Sequence, residues 1–473
     1  MRKFISVIIT IAILAAMVTA IPLTATATYE LDPIPSDSIP ISTRAELEAR
    51  VAGNRNGKFH LTQNIDLGTS PWTPMFTAAS PFNGTLDGRG YIISRLSIVG
   101  DHEYAGLFGG ASDTAVIKNL GVTGVISVAS SATTNRETSV GGIVGTGGNI
   151  ENCFSNVNIS VNVQGVSKVG GIAGSNATVR NCFNTGNITI GSATVEATRT
   201  RGDKHAGGIG GHSVYVSDSF NIGAVSVFGI SLVSISNALS SLYIGGIVGN
   251  NFSVGYSYNS GDVLGAMYAG TNTTTNGTIY LGALAGQVSA QNSYWNIQSS
   301  QTFRGTPRNE LQKQAFESGI AIETSSLTPA EMRQKGNFRN WDFDNTWTYM
   351  ETINDGFPVL QSLEIFIPNI EKVIPELLGI GEICVNCARL VRDCICFACG
   401  VNGVACGLRV CNICKPVCGV GNYECGLIEC PLCIKNKIPP KTGLGDYRGL
   451  TAIAIALTAT SAGLWVYTRR KRI

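Results

Sequence analysis

The chain has 473 residues, of which 44% are hydrophobic and 14% are charged, and it contains 56 glycines and 14 cysteines. This composition excludes a disordered chain of low hydrophobicity, and so few charges disfavour a coiled coil. The formal net charge is only +2. Because no basic run covers the body of the chain, nucleic acid is excluded as an expected partner.

The N-terminal segment has the order of parts of a secretory signal peptide. Arg2 and Lys3 precede an apolar run over residues 4–20, and small residues follow. We therefore predict export, with residues 1–27 as the signal peptide and 28–40 as a linker. An uncleaved membrane anchor is the alternative, because the apolar run is just long enough to span a bilayer.

The body of the chain is an internal repeat. A short block with glycine at its end recurs at intervals of 36, 29, 37, 38 and 37 residues, starting at Gly106, Gly142, Gly171, Gly208, Gly246 and Ala283. A second block follows in the last five copies, and one of its positions is occupied by Cys153, Cys182, Ser219, Ser257 and Ser293. The segments are short, β-branched and aromatic and are bounded by Gly, Asn and Ser, which is typical of strands joined by turns.

A unit of this length with two or three strands cannot bury its own apolar face, so successive units must stack. We predict an all-β protein in which each repeat forms one coil of a parallel β-helix, with equivalent residues about 4.8 Å apart. A propeller is the alternative, but a blade needs four strands. Cys153 and Cys182 would lie one coil apart. We expect free buried thiols there, since serine replaces them later, with a disulfide as the alternative.

Two segments have the pattern of a capped helix start. Thr43 and Thr328 are each followed three residues later by a glutamate, and Pro329 occupies the first helical position of the second segment. They lie at the two ends of the repeat array. We predict short helices there that close the stack, because an open end would expose unpaired strand edges.

The repeated blocks resemble the GLUG motif, which is named for its Gly-Leu-small-Gly core and is found in bacterial surface proteins and in non-catalytic parts of some immunoglobulin-A peptidases. Residues 41–105 resemble the N-terminal cap and first coils of such domains, 106–300 the repeats and 301–361 their closing segment. The resemblance implies a right-handed parallel β-helix that serves as an extracellular scaffold or adhesive surface. It brings no catalytic residues.

A carbohydrate-active β-helix enzyme, a polysaccharide lyase or glycosidase, is an alternative that needs two carboxylates on neighbouring coils. The acidic residues of the repeats fall at different phases, namely Asp113, Glu137, Glu151, Glu196, Asp203, Asp218 and Asp262. The four histidines, His60, His102, His205 and His212, are scattered and form no HExxH. We therefore expect no enzymatic activity and no cofactor in the repeats. Asp342 and Asp344 resemble part of a calcium loop, but the family resemblance makes Trp341 and Phe343 packing residues.

Residues 384–433 form a separate cysteine-rich module after a linker over 362–383. Its cysteines are Cys384, Cys387, Cys394, Cys396, Cys399, Cys406, Cys411, Cys414, Cys418, Cys425, Cys430 and Cys433. Four CxxC pairs, Cys384/Cys387, Cys396/Cys399, Cys411/Cys414 and Cys430/Cys433, have the spacing of zinc knuckles. We favour six disulfides because the segment is predicted to be exported, and zinc is the alternative.

The C-terminus combines a spacer over 434–449, an apolar stretch over 450–467 and a basic tail over 468–473. The spacer contains Pro439, Pro440, Lys441, Thr442 and Gly443. This order resembles the sorting signal of Gram-positive cell-wall proteins. It implies a transmembrane helix over 450–467, and cleavage by a sortase between the threonine and the glycine, with transfer of the threonine to peptidoglycan. Proline replaces the family's usual leucine at the first motif position, so a sortase of another specificity class is implied. A plain tail-anchored membrane protein is the alternative.

Together these features predict an exported protein on the surface of a Gram-positive bacterium, held by the membrane and then by the cell wall. Without residues 1–27 and 443–473 the chain carries a net charge of −4. We expect an adhesin-like or scaffold protein that binds an extracellular glycan or protein, with a purely structural surface-layer component as a further alternative. The long loops Ala193–Lys204 and Ala266–Gly277 are the expected contact sites.

Overall fold

The computed structural model describes residues 29–130, 136–191, 202–231, 241–269, 278–350 and 353–373. Residues 29–35 belong to a separate short unit, and the unit that begins at Ser36 contains the strands and helices of the described ranges. The predicted signal peptide, cysteine-rich module, sorting motif and transmembrane segment lie outside the described residues. Within those residues, no helix is long and apolar enough to cross a membrane.

Thirty-six short strands are the main secondary structure of the described residues. In chain order they are β1 (Ile39–Ile41), β2 (Lys58–Leu61), β3 (Ile65–Asp66), β4 (Thr85–Asp87), β5 (Ile92–Gly100), β6 (Tyr104–Ala105), β7 (Phe108–Gly110), β8 (Val116–Lys118), β9 (Gly121–Ala129), β10 (Thr138–Gly141), β11 (Val144–Thr146), β12 (Asn149–Glu151), β13 (Phe154–Asn162), β14 (Ser167–Gly170), β15 (Ala173–Ser175), β16 (Thr178–Arg180), β17 (Phe183–Asn184), β18 (Ile188–Ile190), β19 (Lys204–Gly207), β20 (Gly210–His212), β21 (Tyr215–Ser217), β22 (Phe220–Asn221), β23 (Val225–Ser231), β24 (Leu242–Gly245), β25 (Val248–Gly255), β26 (Tyr258–Asn259), β27 (Val263–Ala269), β28 (Ile279–Gly282), β29 (Ala285–Gln291), β30 (Tyr294–Asn296), β31 (Gln301–Phe303), β32 (Thr306–Pro307), β33 (Ala321–Ile322), β34 (Ser325–Leu327), β35 (Trp347–Tyr349) and β36 (Pro358–Leu360).

Among the described residues, the helices are few and short. The α-helices are α1 (Arg44–Glu46), α2 (Pro329–Met332) and α3 (Ile367–Val373), and α1 continues into a π-helical turn over Leu47–Val51. Single 3₁₀ turns occur at Glu310–Gln312, Lys335–Asn337, Asn354–Gly356 and Gln361–Ile365. The helical segments therefore serve as caps and connections around the strands.

The strands form three long sheets. Sheet 1 contains β1, β2, β4, β7, β8, β11, β12, β15, β16, β20, β21, β25, β29 and β33, sheet 2 contains β6, β10, β14, β19, β24 and β28, and sheet 3 contains β3, β5, β9, β13, β17, β18, β22, β23, β26, β27, β30, β31, β32 and β34. Within the described residues, every pairing between coils is parallel, and the antiparallel pairs are β31 with β32 and β35 with β36.

One repeat corresponds to one coil. Strand β10 lies in sheet 2, β11 and β12 lie in sheet 1 and β13 lies in sheet 3, and each pairs with the equivalent strand of the next repeat. The coil thus has four strands rather than the two or three that the sequence suggested. Pairing between repeats, rather than within them, gives the arrangement of a parallel β-helix and excludes the propeller. The hand of the coil stays a prediction.

Stacking in register places like residues above one another in the interior. In sheet 2, Val140, Val169, Ala206, Ile244 and Leu281 form one such inward column, and all are fully buried. A fully buried aliphatic side chain of this size stabilises a fold by about 1.5–3 kcal/mol. A single repeat has no neighbouring coil with which to make these contacts, so stability depends on the stack.

Both predicted helix starts are confirmed. The Thr43 hydroxyl accepts a hydrogen bond from the Glu46 backbone N–H at 3.2 Å, while the Glu46 carboxylate accepts from Ser42 instead of Thr43. At Thr328 the reciprocal capping box is complete, with Glu331 accepting from the Thr328 backbone N–H at 2.8 Å. The helices begin where the sequence predicts because these side chains satisfy the free N–H groups of the first turn.

The segment after α2 differs from the expected end cap. It runs back along an aromatic column on the outside of sheet 3, formed by Phe154, Phe183, Phe220, Tyr258 and Tyr294, whose first four rings stack at 4.9–5.1 Å. The residues that cover the column, from the last coil back to the early ones, are Trp341, Trp347 and Phe366. We call residues 338–373 the return segment.

The return segment ends beside the first coils. The Asn369 side-chain amide donates to the Gly90 carbonyl at 2.8 Å, and a Cβ at residue 90 would lie 2.5 Å from the Ile365 carbonyl oxygen. Gly90 also has a positive φ of 81°, so both the backbone angle and the close approach require glycine. The described chain therefore ends near its N-terminal coils, and not at the far end of the stack.

Candidate functional site

Sheets 1 and 2 meet at a corner that the repeated motif creates. A Cβ at Gly174, the last residue of its motif, would lie 2.6 Å from the Val140 backbone nitrogen on sheet 2. The same holds at Gly211 and Gly249, where a Cβ would lie 2.4 Å and 2.7 Å from backbone nitrogens of sheet 2. Only glycine lets the two backbones approach this closely. The glycines of the motif are thus explained by the corner, which runs the length of the stack.

Two facing rows of side chains line this corner. The row on sheet 2 is Tyr104, Ser139, Lys168, His205, Tyr243 and Tyr280. The row on sheet 1 is Thr146, Ser175, His212, Asn250 and Gln287. The His205 and His212 rings meet across the corner with centroids 4.5 Å apart. Because both rows advance by one coil together, the pairs of residues seven apart in sequence, from Ser139/Thr146 to Tyr280/Gln287, occupy equivalent positions. We call these two rows the corner rows.

The later coils present aromatic rings beside side-chain amides. His205, Tyr243 and Tyr280 stack along the axis at 4.8 Å with their rings within 5° of parallel. The register of the two sheets continues the His205–His212 contact and so places Asn250 and Gln287 opposite the two tyrosines. Both amides are partly exposed, and neither has a side-chain hydrogen bond to any described residue. The stacked rings cover one another's faces, so the corner presents the ring edges, and Ser241 lies within hydrogen-bonding reach of the Tyr243 hydroxyl.

The earlier coils are closed by polar contacts. The Lys168 ammonium is 2.5 Å from the Glu137 carboxylate, and the lysine side chain is only 13% exposed. Ser175 links Ser139 and Thr146 through hydroxyl hydrogen bonds of 3.0 Å each. The polar groups in this part of the corner thus satisfy one another, which leaves fewer of them for a ligand.

Burial sets the protonation of the two histidines. Burial is the main cause that lowers the pKa of His205 to about 3, and the electrostatic effects of His212, Lys168 and Lys204 act in the same direction. Burial and Lys168 also lower the pKa of His212. His205 is 5% exposed, and its Nδ1 has no hydrogen-bond partner among the described residues. Both rings are therefore neutral at neutral pH, and the corner carries no histidine charge.

Two residues that bound the predicted contact loops, Lys204 and Ala266, lie in strands. Lys204 is the first residue of β19 and is fully buried. Its ammonium donates to the Val163 carbonyl at 3.2 Å, to the Gly165 carbonyl and to the Ser167 hydroxyl. Burial lowers its pKa to about 7, against the opposing charge of Asp203. Lys204 is thus not a surface contact, and Ala266, also buried, belongs to β27. The remainder of both loops lies largely outside the described residues.

Cys153 and Cys182 are free buried thiols, as expected. The Cys182 sulfur accepts from the Cys153 backbone N–H at 3.3 Å, and the Ser219 hydroxyl accepts from the Cys182 backbone N–H at 3.1 Å. Each side chain also donates to the carbonyl two residues before it, at 3.0–3.1 Å for sulfur and 2.8 Å for Ser219. Burial raises the pKa of Cys153 well above its usual value. The column is therefore structural, and cysteine and serine fill one hydrogen-bonding role.

One charged column was missed from the sequence. Asp87, Lys118, Glu151 and Arg180 stand in register on sheet 1. A base separates the two acids, so the column provides no pair of adjacent carboxylates of the kind used in glycoside cleavage. Aligning equivalent positions of successive coils would have revealed this column, but Asp87 belongs to a coil that precedes the recognisable repeats.

The predicted packing role of Trp341 and Phe343 is confirmed. Trp341 is 7% exposed, and Phe343 stacks on Tyr349 at 5.5 Å. The Asp342 carboxylate accepts hydrogen bonds from the backbone N–H groups of Asp344 and Asn345 at 2.9 and 3.0 Å, which makes it part of a turn. Within the described ranges, no group of three or more histidine, cysteine, aspartate or glutamate side chains could hold a metal ion.

These observations define a repeat protein of stacked parallel coils with a polar corner. No family model matches the chain, and no curated protein matches it. Among solved structures, it is similar to a protein of Bacteroides ovatus named a putative immunoglobulin A1 protease, with 18% identity and a TM-score of 0.45 over 70% of this chain and 94% of the other. Likeness at this level assigns neither a family nor an activity, so the GLUG resemblance stays a prediction.

Proposed function

We propose that the protein is an exported, non-catalytic binding module of the cell surface, built as a right-handed β-helix of GLUG-type repeats. The observation that supports this most is the pair of corner rows, which repeat polar and aromatic groups along a rigid stack. A regular row of side chains on a stiff scaffold favours binding of an extended ligand, because the protein loses little conformational freedom when the ligand binds.

Attachment to the surface is part of the same proposal. The motif from Pro439 to Gly443, followed by the apolar stretch and the basic tail, would join the chain to peptidoglycan through a sortase. The cysteine-rich module would then form the stalk between the wall and the β-helix, stabilised by disulfides, with zinc as the competing chemistry. Bound zinc together with free thiols in that module would overturn the disulfide part.

A binding role fits the chemistry of the described residues better than hydrolysis. Catalysis by paired carboxylates needs two acids a few ångströms apart, one of them with an altered pKa. In the charged column, Lys118 separates Asp87 from Glu151, and in the corner the Glu137 carboxylate is engaged by Lys168. These three acids therefore lie beside basic side chains.

The experiment is binding of the full chain to glycan and protein arrays, with release of reducing sugar measured in parallel. We expect binding to at least one array and no sugar release above the buffer rate. Sugar release would support the carbohydrate-active enzyme instead. Absence of binding on both arrays would leave only a structural role and would refute the proposal.

A further inference from the structure

The corner rows change character along the stack. In the early coils the polar groups bond to one another, as Lys168 does with Glu137. In the later coils Asn250 and Gln287 have amides without hydrogen bonds to any described residue, although both stand beside tyrosines. A half-exposed polar group of this kind is hydrated in the free protein and is available to a ligand.

The chemistry of these groups selects hydroxyl groups. A side-chain amide has two donors and an acceptor with two lone pairs, and a phenol can donate and accept. A sugar hydroxyl is likewise both donor and acceptor, so neutral sugars match the pairs Tyr243/Asn250 and Tyr280/Gln287. The two pairs lie one coil apart, about 4.8 Å along the axis, so a chain of sugars along the corner would meet the same groups twice.

The charges near the corner disfavour an acidic polymer. Lys168 is paired with Glu137, and the two histidines are neutral at neutral pH because burial lowers the pKa of each. Burial raises the pKa of Tyr243, a hydrogen bond with Ser241 opposes this, and the negative charge of Asp203 adds to the increase. The described corner therefore offers an acidic sugar one nearby negative charge and no unpaired cation.

A peptide ligand fits less well. Strand β24, which carries Tyr243, is hydrogen-bonded to β19 on one side and β28 on the other, so it has no free edge for a peptide strand to join. The outward side chains of this wall are polar or stacked on one another, so the described part of the corner lacks the apolar pocket that anchors a peptide side chain. A neutral glycan needs neither feature.

We infer that the late corner, formed by Tyr243, Asn250, Tyr280 and Gln287, is a binding site for a neutral polysaccharide that lies along the stack axis. This inference rests on the proposed function and names its ligand and its site. The amides and tyrosine hydroxyls hold the sugar hydroxyls, and the stacked rings fix the positions of those hydroxyls.

The test is affinity electrophoresis of the full chain, kept soluble in a detergent without a sugar head group, through gels containing a neutral polysaccharide. The panel is laminarin, xyloglucan and glucomannan, with polygalacturonate as the acidic comparison. We expect retardation by at least one neutral polymer and none by polygalacturonate. The Asn250→Ala/Gln287→Ala double variant should bind about tenfold more weakly, since two hydrogen bonds are lost. Tyr280→Phe, which keeps the ring, should bind about threefold more weakly.

The matched control is Gln291→Ala. It removes an exposed side-chain amide from the strand that carries Gln287, at a position outside the corner. It should bind as the wild type does, and far-UV circular dichroism should be the same for all variants. Unchanged binding by the double variant would overturn the site while leaving the proposed function in place. Retardation only by polygalacturonate, or by no polymer, would overturn the ligand class, and the arrays above then decide whether the proposed function also fails.

Discussion

Replacing the buried histidine of the corner should make the fold less sensitive to acid. His205 is 5% exposed and has a pKa lowered to about 3, whereas an unfolded histidine titrates near its ordinary value of about 6.5. Between these values the unfolded state binds more protons than the folded state, so acid favours unfolding. The stability linked to His205 is fully present above about pH 6.5 and is lost as the pH falls towards 3.

The magnitude follows from the same two values. When the pH is lowered from 7 to 5, a histidine that ionises only in the unfolded state lowers the free energy of unfolding by about 2 kcal/mol. The slope is ~1.4 kcal/mol per pH unit below the pKa of the unfolded state. His205→Phe keeps a ring on Tyr243, since phenylalanine and tyrosine rings stack in this way elsewhere in the fold. The variant should therefore lose about 2 kcal/mol less than the wild type over this pH range.

The assay is urea unfolding at pH 7 and pH 5, followed by tryptophan fluorescence. His102→Phe, which changes a partly exposed histidine outside the corner, is the control and should keep the loss in acid. Nuclear magnetic resonance of ¹³C-labelled histidine resolves the four histidines of the chain. A His205 resonance that titrates near pH 6.5, or equal acid losses in His205→Phe and the wild type, would refute the reasoning.

Three further predictions concern the stack and its cover. Cys182→Ser should change the free energy of unfolding by less than about 1 kcal/mol, whereas Cys182→Val should cost about 1–3 kcal/mol because the Cys153 N–H loses its acceptor; equal costs in urea unfolding would contradict the shared role of sulfur and hydroxyl. Asn181, in the turn between β16 and β17, has a φ of +52°, so Asn181→Ala should cost about 1 kcal/mol and Asn181→Gly a few tenths at most in thermal unfolding; the reverse order would show that this turn is not strained. Trp347 is fully buried on the aromatic column. Trp347→Ala should therefore lower the free energy of unfolding by about 3–5 kcal/mol and speed amide hydrogen exchange in the return segment; unchanged exchange there would refute the packing of that segment on the column.

The stacking of the repeats was predictable because the spacing of the glycine blocks is almost constant. Once adjacent repeats pair, residues at equivalent positions become neighbours, and this also places Cys153 beside Cys182. The helix caps were predictable for a local reason, since Thr328 and Glu331 bond within one turn. These features depend on residues near one another in sequence or at equal positions in adjacent repeats.

The corner was not predictable from the same information. His205 and His212 are seven residues apart, and this distance does not show that the chain bends sharply between them. The bend depends on Gly211, where a Cβ would lie 2.4 Å from the Val169 backbone nitrogen of the preceding coil. Composition and spacing give no sign of that contact, so the histidines looked scattered.

The return segment was hidden for a different reason. Its tryptophans pack on a column whose members lie far away in the chain, as the hydrogen bond from the Tyr258 hydroxyl to the Pro358 carbonyl spans 100 residues. The sequence shows the aromatic residues of both partners but not which surface they share. A segment at the end of a repeat array suggests an end cap, and here it covers the side of the stack instead.

The central claim is that successive repeats stack in register as single coils. Thr189 and Ser226 are paired in sheet 3, and Ser226 is paired with Leu264 of the following coil. Mild oxidation of the full chain followed by peptide mass spectrometry should find a disulfide in Thr189→Cys/Ser226→Cys, whose Cα atoms lie about 4.8 Å apart. The same treatment should find none in Thr189→Cys/Leu264→Cys, which is two coils apart. Equal yields in the two variants, or a bond only in the second, would contradict the stack.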